Sequence, residues 1–138
     1  MLKLIIEQEE NVKMKVIIVG CTHAGTITAT QILKNHPETE VTIYERNDNV
    51  SFLSCGIAVY LSGDVGDPDA MFYSSPEQLS QLGAEVHMQH NVTSIDPKTK
   101  TVKVTDLVTG EEKTDHYDKL VMTTGSWPII PPIEGVDG

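Results

Sequence analysis

The sequence is short of basic residues, of cysteine and of long apolar runs, and each shortage removes a class of protein. Ten Lys and Arg residues stand against twenty Asp and Glu residues, so the formal net charge is −10. A nucleic-acid partner is not expected, because phosphate binding needs clustered basic side chains. Two cysteines are too few for a disulfide scaffold, which favours a reducing compartment.

The absence of a long apolar stretch excludes a membrane protein. No segment approaches the roughly 18 apolar residues of a membrane-spanning helix. Near the N-terminus a short apolar patch, Leu4-Ile5-Ile6, is followed by an acidic run, which is unlike a signal peptide. We therefore expect a cytoplasmic protein without membrane contact. Because Met14 directly precedes the first strong strand pattern, we predict that residues 1–13 are an N-terminal extension outside the fold.

What is present is an α/β pattern in a chain of 138 residues, long enough for one hydrophobic core. The apolar run at residues 15–19 predicts a buried parallel strand. A helix is predicted over residues 24–34 and a second strand over 41–45, which completes a β-α-β unit of the usual size. The candidate core positions of that helix are Ile27, Ile32 and Leu33.

The second half of the chain changes character. A short helix is predicted over residues 55–61, another from Ser75-Pro76-Glu77 to Gly83, and a strand over 86–90. Polar and apolar residues then alternate in three segments between residues 92 and 117, separated by turns, which indicates an inserted antiparallel meander. A buried strand is predicted at 120–122. Residues 127–138, with three prolines, have the composition of a linker.

A glycine loop, Gly20 to Gly25, lies between the first strand and the helix. Gly20 permits a tight turn, Gly25 permits close helix packing, and the helix N-terminus offers N–H groups to a pyrophosphate. Thr22 replaces the middle glycine of the usual G-x-G-x-x-G pattern. Glu45 stands 20 residues after Gly25, where an acid can bind ribose hydroxyls. This combination favours dinucleotide binding over an ordinary turn with a solvated glutamate.

Two side chains are candidates for chemistry. Cys55 lies at a predicted helix start, where the dipole favours a thiolate; the alternative is a small buried apolar residue. With no C-x-x-C partner, it indicates a single-thiol cycle between thiolate and sulfenic acid. His23 lies inside the glycine loop, where it either faces solvent or points to a flavin and stabilises that thiol.

The remaining histidines and Cys21 are weaker candidates for a functional role. His87 and His90 are three apart on a predicted strand, so we expect them on opposite faces, unable to share a metal. His36 and His116 lie in or near turns. We predict no metal site, and a packing role for the Cys21 side chain.

From Met14 to Gly138 the chain resembles the N-terminal part of the flavin-dependent NADH oxidases and NADH peroxidases, of the pyridine nucleotide-disulfide reductase superfamily. The shared motifs are V-G-C-T-H-A-G at 19–25, Y-E-R-N-D at 44–48, S-F-L-S-C-G at 51–56, Y-D-K-L at 117–120 and T-T-G-S-W-P at 123–128. The C-T-H-A-G and T-T-G-S-W-P versions are closer to the water-forming oxidases than to the peroxidases. The resemblance implies a Rossmann-like FAD-binding fold, in three layers with a parallel sheet.

The resemblance also implies roles for particular residues. The FAD pyrophosphate would be held by the loop residues Gly20, Cys21, Thr22, His23 and Ala24, followed by Gly25. Glu45 would bind the adenosine ribose, and Val92 would meet the adenine through its backbone. The flavin side would be lined by Thr123, Thr124, Gly125 and Ser126. Cys55 would be the redox centre beside the flavin, with His23 as its catalytic neighbour, and electrons from NADH would pass through FAD to oxygen and yield water.

Family members continue with an NADH-binding domain, a further FAD-contacting segment and a C-terminal dimerisation domain, and they are expected to be homo-oligomers. We therefore expect an incomplete FAD-binding domain at residues 14–126 and a linker at 127–138 towards an absent NADH-binding domain. The alternatives are an NADH peroxidase, a coenzyme A-disulfide reductase, or an inactive truncated flavin-binding fragment.

Overall fold

The computed structural model describes residues 13–126 and 129–133. The predicted N-terminal extension at 1–13 and the linker at 127–138 therefore lie largely outside the described residues. The described residues form seven strands, which are β1 (Lys15–Val19), β2 (Glu40–Tyr44), β3 (Ala84–His87), β4 (His90–Asp96), β5 (Thr101–Asp106), β6 (Glu112–His116) and β7 (Lys119–Met122). The α-helices are α1 (His23–Asn35), α2 (Ile57–Leu61) and α3 (Pro76–Gln81), with short 3₁₀ helices at Ser54–Gly56 and Pro68–Met71.

The strands form two sheets. A four-stranded sheet has the order β3-β2-β1-β7, and each neighbouring pair in it is parallel. The order β4-β5-β6 gives a second, antiparallel sheet, which confirms the inserted meander. Since β1 is central and β7 returns beside it, the carboxyl ends of β1, β2 and β7 lie at the same edge.

The alternation of side chains along β1 builds three layers. Val16 and Ile18 pack with Ala29 and Leu33 of α1 in one core cluster. Ile17 and Val19 face the other way and pack with Val102 and Val104 of β5 and with Tyr117 in a second cluster. The parallel sheet is thus covered by helices on one face and by the meander on the other, which confirms the predicted Rossmann-like α/β fold.

Several local predictions need correction. Ile27 is 55% exposed, because the buried stripe of α1 runs through Gly25, Thr26, Ala29 and Leu33. The strand predicted over 86–90 is broken, since Gln89 adopts a left-handed φ of 55° and separates β3 from β4. The strand at 120–122 is only partly buried, and Met122 is 51% exposed because β7 lies at an edge of the sheet.

The predictions for the other two helices agree more closely with the structure. The helix predicted over 55–61 is a 3₁₀ turn, Ser54–Gly56, followed by α2. The start of α3 is confirmed, because the Ser75 hydroxyl accepts a hydrogen bond from Gln78 N–H. Its predicted end is confirmed as well, since Gly83 follows the helix with a φ of +107°.

Candidate functional site

A cleft of about 760 Å³ opens at the edge where β1, β2 and β7 end. This is the edge at which open α/β sheets bind ligands, and the volume is typical of a ligand site. The walls come from the glycine loop, the end of β2, the segment before Cys55, the start of β4 and the segment after β7. The lining residues are Val19, Gly20, Thr22, His23, Tyr44, Glu45, Arg46, Asn47, Phe52, Ser54, His90, Asn91, Val92, Thr123, Thr124, Gly125 and Ser126.

The glycine loop is held against the segment after β7. Gly20 adopts a φ of +91°, and a Cβ there would lie 2.5 Å from the carbonyl oxygen of Thr123. At Gly25 a Cβ would lie 2.0 Å from the carbonyl oxygen of Gly20 and 2.9 Å from Thr123 Oγ1. The same Oγ1 donates to the Gly20 carbonyl at 2.7 Å. Both predictions for these glycines, the tight turn and the close packing, are confirmed.

Thr22 explains how the loop departs from the three-glycine pattern. Its φ is −84° and its ψ is −122°; because the φ is negative, the left-handed backbone that favours glycine is not required there. The Thr22 side chain makes no capping hydrogen bond with the described residues. The first turn of the 13-residue helix α1 therefore presents N–H groups and the positive end of its dipole at the cleft, which suits an anionic group.

Glu45 is buried, with 3% of its surface exposed, and its carboxylate joins two parts of the cleft. Oε2 accepts a hydrogen bond from Cys21 N–H at 2.5 Å. Oε1 accepts from the backbone N–H and from the side-chain amide of Asn47, both at 2.8 Å. Because a carboxylate oxygen accepts two hydrogen bonds, Oε2 still has capacity for a ligand hydroxyl. Glu45 thus lies where the sequence predicts, with an added structural role that sequence reasoning missed.

His23 has a partner that the sequence did not indicate. Its ring stacks on Tyr73, with ring centroids 5.6 Å apart and planes inclined by 7°. The Nδ1 atom of His23 lies 3.3 Å from the Tyr73 hydroxyl, which also donates to the Thr22 carbonyl at 3.4 Å. Tyr73 is 50 residues from His23, so no local sequence pattern could have revealed this pairing.

Cys55 is exposed in the 3₁₀ turn Ser54–Gly56. Its neighbours Phe52 and Ser54 line the cleft, whereas Cys55, Cys21, Ala24 and Gly25 are not among the described lining residues. The segment before it is fixed to residues 71 and 72, because Leu53 N–H donates to the Met71 carbonyl at 2.8 Å and Phe52 forms a β-bridge with Phe72. Cys55 therefore lies beside the cleft on an anchored segment.

Cys21 has the packing role that was predicted for its side chain. The thiol is wholly buried, and its Sγ lies 3.4 Å from the Thr26 hydroxyl. Burial raises the pKa of this thiol, and the nearby Glu45 adds to the rise, against the Thr26 hydrogen bond. A raised pKa disfavours the thiolate, so Cys55 is the better candidate for a nucleophile.

His87 and His90 are closer together than predicted. They lie on two strands, β3 and β4, and their ring centroids are 5.0 Å apart, so the expectation of opposite faces on one strand was wrong. Both rings also stack on Tyr44. Among the described residues, no group of three or more His, Cys, Asp or Glu side chains could hold a metal ion. The described residues also include no helix long and apolar enough to cross a membrane.

Comparisons with known proteins agree with this geometry. The pattern of the pyridine nucleotide-disulphide oxidoreductases matches residues 14–138. The NADH oxidase of Enterococcus faecalis is 63% identical over 124 residues, covering 90% of this chain and 28% of that protein. An NAD(P)H coenzyme A polysulfide/persulfide reductase of Pyrococcus horikoshii is 35% identical over 129 residues, covering 93% of this chain and 28% of that protein.

A solved structure is similar over the same region. The water-forming NADH oxidase from Lactobacillus brevis bound to NADH superposes with a TM-score of 0.88 at 63% identity, and the match covers 91% of this chain and 28% of that one. The chain thus spans less than a third of the length of these relatives.

Proposed function

The chain belongs to the pyridine nucleotide-disulphide oxidoreductase family, as its motifs indicated, and from this we propose that it supplies the FAD-binding part of an NADH oxidase-type flavoprotein. The observation that carries the proposal is the cleft itself. A glycine loop that admits no Cβ at Gly25, an uncapped helix start and the buried Glu45 carboxylate all meet at the carboxyl edge of a parallel sheet. This donor and acceptor set suits a dinucleotide.

Each part of FAD has matching residues in the cleft. The pyrophosphate would be held by the backbone between Gly20 and Ala24, at the N-terminus of α1. Glu45 would accept a hydrogen bond from a ribose hydroxyl, and Val92, in the same cleft, would meet the adenine. The segment Thr123–Ser126 would lie along the flavin. When bound, FAD supplies the electron transfer between a nicotinamide and oxygen.

Cys55 would act on hydrogen peroxide and so make water the final product. In this step the Cys55 thiolate attacks one peroxide oxygen, an S–O bond forms, the O–O bond breaks, and hydroxide leaves. The sulfur is oxidised by two electrons to a sulfenic acid, and the peroxide is reduced. His23, which lines the cleft, would give a proton to the departing hydroxide. NADH would return two electrons and restore the thiol with release of water.

A test of the cofactor uses the chain itself. The purified protein is incubated with FAD, desalted, and examined by absorbance for retained flavin. We expect retained flavin in the unaltered chain and less in Gly25→Ala, with Gly66→Ala as the control because no atom lies within 4 Å of a Cβ at Gly66. Equal flavin loss in all three proteins would contradict FAD binding by this cleft and favour the truncated, non-binding fragment.

The activity is tested in a chimera in which residues 14–126 replace the matching segment of the Lactobacillus brevis enzyme. We expect two NADH consumed per oxygen, with water as product. In the chimera, Cys55→Ser should keep FAD but release peroxide, with one NADH per oxygen. Water as the sole product of that variant would show that Cys55 is not the redox centre.

A second candidate follows from the similarity to the coenzyme A polysulfide/persulfide reductase. Its reaction would use the same thiol on a sulfur-sulfur bond instead of on peroxide. The same chimera separates the candidates, because it can be supplied with oxygen, peroxide or coenzyme A disulfide in turn. Faster NADH consumption with the disulfide than with oxygen would favour the reductase.

A further inference from the structure

Tyr73 is the closest described polar contact of the His23 imidazole. The tyrosyl hydroxyl lies 3.3 Å from His23 Nδ1, and the two rings are nearly parallel. The same hydroxyl donates to the backbone carbonyl of Thr22 at 3.4 Å. His23 lines the cleft and is half-buried, so the orientation of its ring decides what it presents to a ligand.

The proton count of these three groups favours one tautomer of His23. A carbonyl oxygen only accepts, and a tyrosine hydroxyl has a single proton to donate. With that proton directed to the Thr22 carbonyl, the Tyr73 oxygen accepts from Nδ1–H of His23. In the neutral imidazole, Nδ1 then carries the proton, and Nε2 keeps its lone pair. The tautomer of a histidine is set by the hydrogen bond of its other nitrogen, and Tyr73 supplies that bond.

The chain also connects Tyr73 to the segment that carries Cys55. Ser51 is wholly buried, and its hydroxyl donates to the Ser74 carbonyl at 2.7 Å and accepts from Ser74 N–H at 2.9 Å. Phe52 pairs with Phe72 in a β-bridge, and their rings lie 5.4 Å apart. Tyr73 therefore lies between Phe72 and Ser74, and both of these residues are bonded to residues 51–52, which lead to Cys55.

Ser51 extends this connection to the glycine loop. Its backbone N–H donates to the Cys21 carbonyl at 2.9 Å, and it adopts a left-handed φ of 59°, which is uncommon for a residue with a side chain. Ser51 thus joins three segments: the glycine loop with His23, residues 51–54 before Cys55, and the segment with Tyr73.

We propose that Tyr73 is a positioning residue, which holds His23 as the Nδ1–H tautomer and keeps its Nε2 lone pair available to the cleft. This inference rests on the proposed function, in which His23 handles a proton for Cys55. Nε2 would accept the proton of the Cys55 thiol and deliver it to the hydroxide that leaves the peroxide. No proton is gained or lost by Tyr73 in this sequence.

The tautomer can be measured directly, without turnover. In the ¹⁵N-labelled chain at alkaline pH, the two imidazole nitrogens of His23 are distinguished by NMR. We expect a protonated Nδ1 in the unaltered chain and a shift towards protonated Nε2 in Tyr73→Phe, which keeps the ring stack and loses the hydroxyl. Tyr60→Phe is the control, since Tyr60 is another partly exposed tyrosine, 37% exposed, on α2. A protonated Nε2 in the unaltered chain, or no change in Tyr73→Phe, would overturn the proposal.

The chimera supplies the functional readout. Tyr73→Phe should release about two- to tenfold more peroxide per NADH than Tyr60→Phe, the range expected for one lost hydrogen bond, with unchanged FAD content. An unchanged peroxide fraction together with a shifted tautomer would refute the positioning role of Tyr73. If even Cys55→Ser leaves the product unchanged, the proposed function fails, while the NMR result on the tautomer stands independently.

Discussion

The contact between Gly25 and the Gly20 carbonyl gives the sharpest prediction on stability. A methyl group added by Gly25→Ala would begin 2.0 Å from that oxygen, whereas ordinary contact begins at 3.4 Å. The oxygen or the helix must therefore retreat by about 1.4 Å. The obstacle is backbone, so no side-chain rotation can relieve it, and the retreat also disturbs the hydrogen bond from Thr123 Oγ1 to the same oxygen.

The magnitude follows from three contributions. Overpacking of this kind costs about 1–3 kcal/mol, and the disturbed hydrogen bond costs about 1 kcal/mol. Alanine gains about 1 kcal/mol over glycine in helix propensity, which offsets the hydrogen bond. The net loss of unfolding free energy is about 1–3 kcal/mol, which lowers the melting temperature by about 3–9 °C in a chain of this length.

The assay is thermal unfolding followed by far-ultraviolet circular dichroism, without added FAD. Gly66→Ala serves as the control, because a Cβ at Gly66 meets nothing within 4 Å, and its melting temperature should stay near that of the unaltered chain. If Gly25→Ala melts within about 1 °C of Gly66→Ala, the close approach of helix and loop does not limit stability and the reasoning fails.

Two further variants test the electrostatics of the cleft. Glu45→Gln replaces a carboxylate that accepts three N–H hydrogen bonds by an amide with one acceptor oxygen. The variant should lose about 1–3 kcal/mol of unfolding free energy and retain FAD less well. The control is Glu112→Gln at an exposed position, and equal urea unfolding of the two variants would contradict the prediction. The pKa of His87 is lowered, mainly by burial and then by the positive charge of Lys113. The unfolded chain therefore binds a proton at this histidine more readily than the folded chain does. The unfolding free energy should fall as the pH drops below 6.5, the ordinary pKa of histidine. His87→Gln should remove that part of the pH dependence, and an equally steep loss of the urea midpoint in this variant would refute the assignment.

The predictable part of the molecule is the part encoded by local patterns. The apolar run of β1, the glycine loop and the alternating strands of the meander each occupy consecutive residues, and each was placed to within a residue or two. Ile27 was misplaced because apolar character alone does not reveal which face of α1 meets the sheet. The division of the strand at Gln89 was missed, because a left-handed φ at glutamine has no local sequence signal.

The candidate site was predictable where a motif spans it and not where distant segments meet. Gly20, Gly25 and Glu45 belong to one β-α-β unit, so their positions follow from its geometry. Tyr73 reaches His23 across 50 residues, and the Ser51 hydroxyl reaches Ser74 across 23. Such contacts depend on how loops close, which neither periodicity nor propensity describes. The same holds for His87 and His90, brought together by a turn.

The position of β7 beside β1 also bears on the order in which the protein folds. The glycine loop meets Glu45 across 24 residues, but it meets Thr123 across 103. Closing the longer loop costs about 1 kcal/mol more in chain entropy, and contacts of such separation form slowly. During synthesis, the β1-α1-β2 unit can pair long before Thr123 leaves the ribosome. A nascent chain that ends before β7 therefore contains the whole glycine motif but lacks β7 and the following Thr123, against which the glycine loop packs.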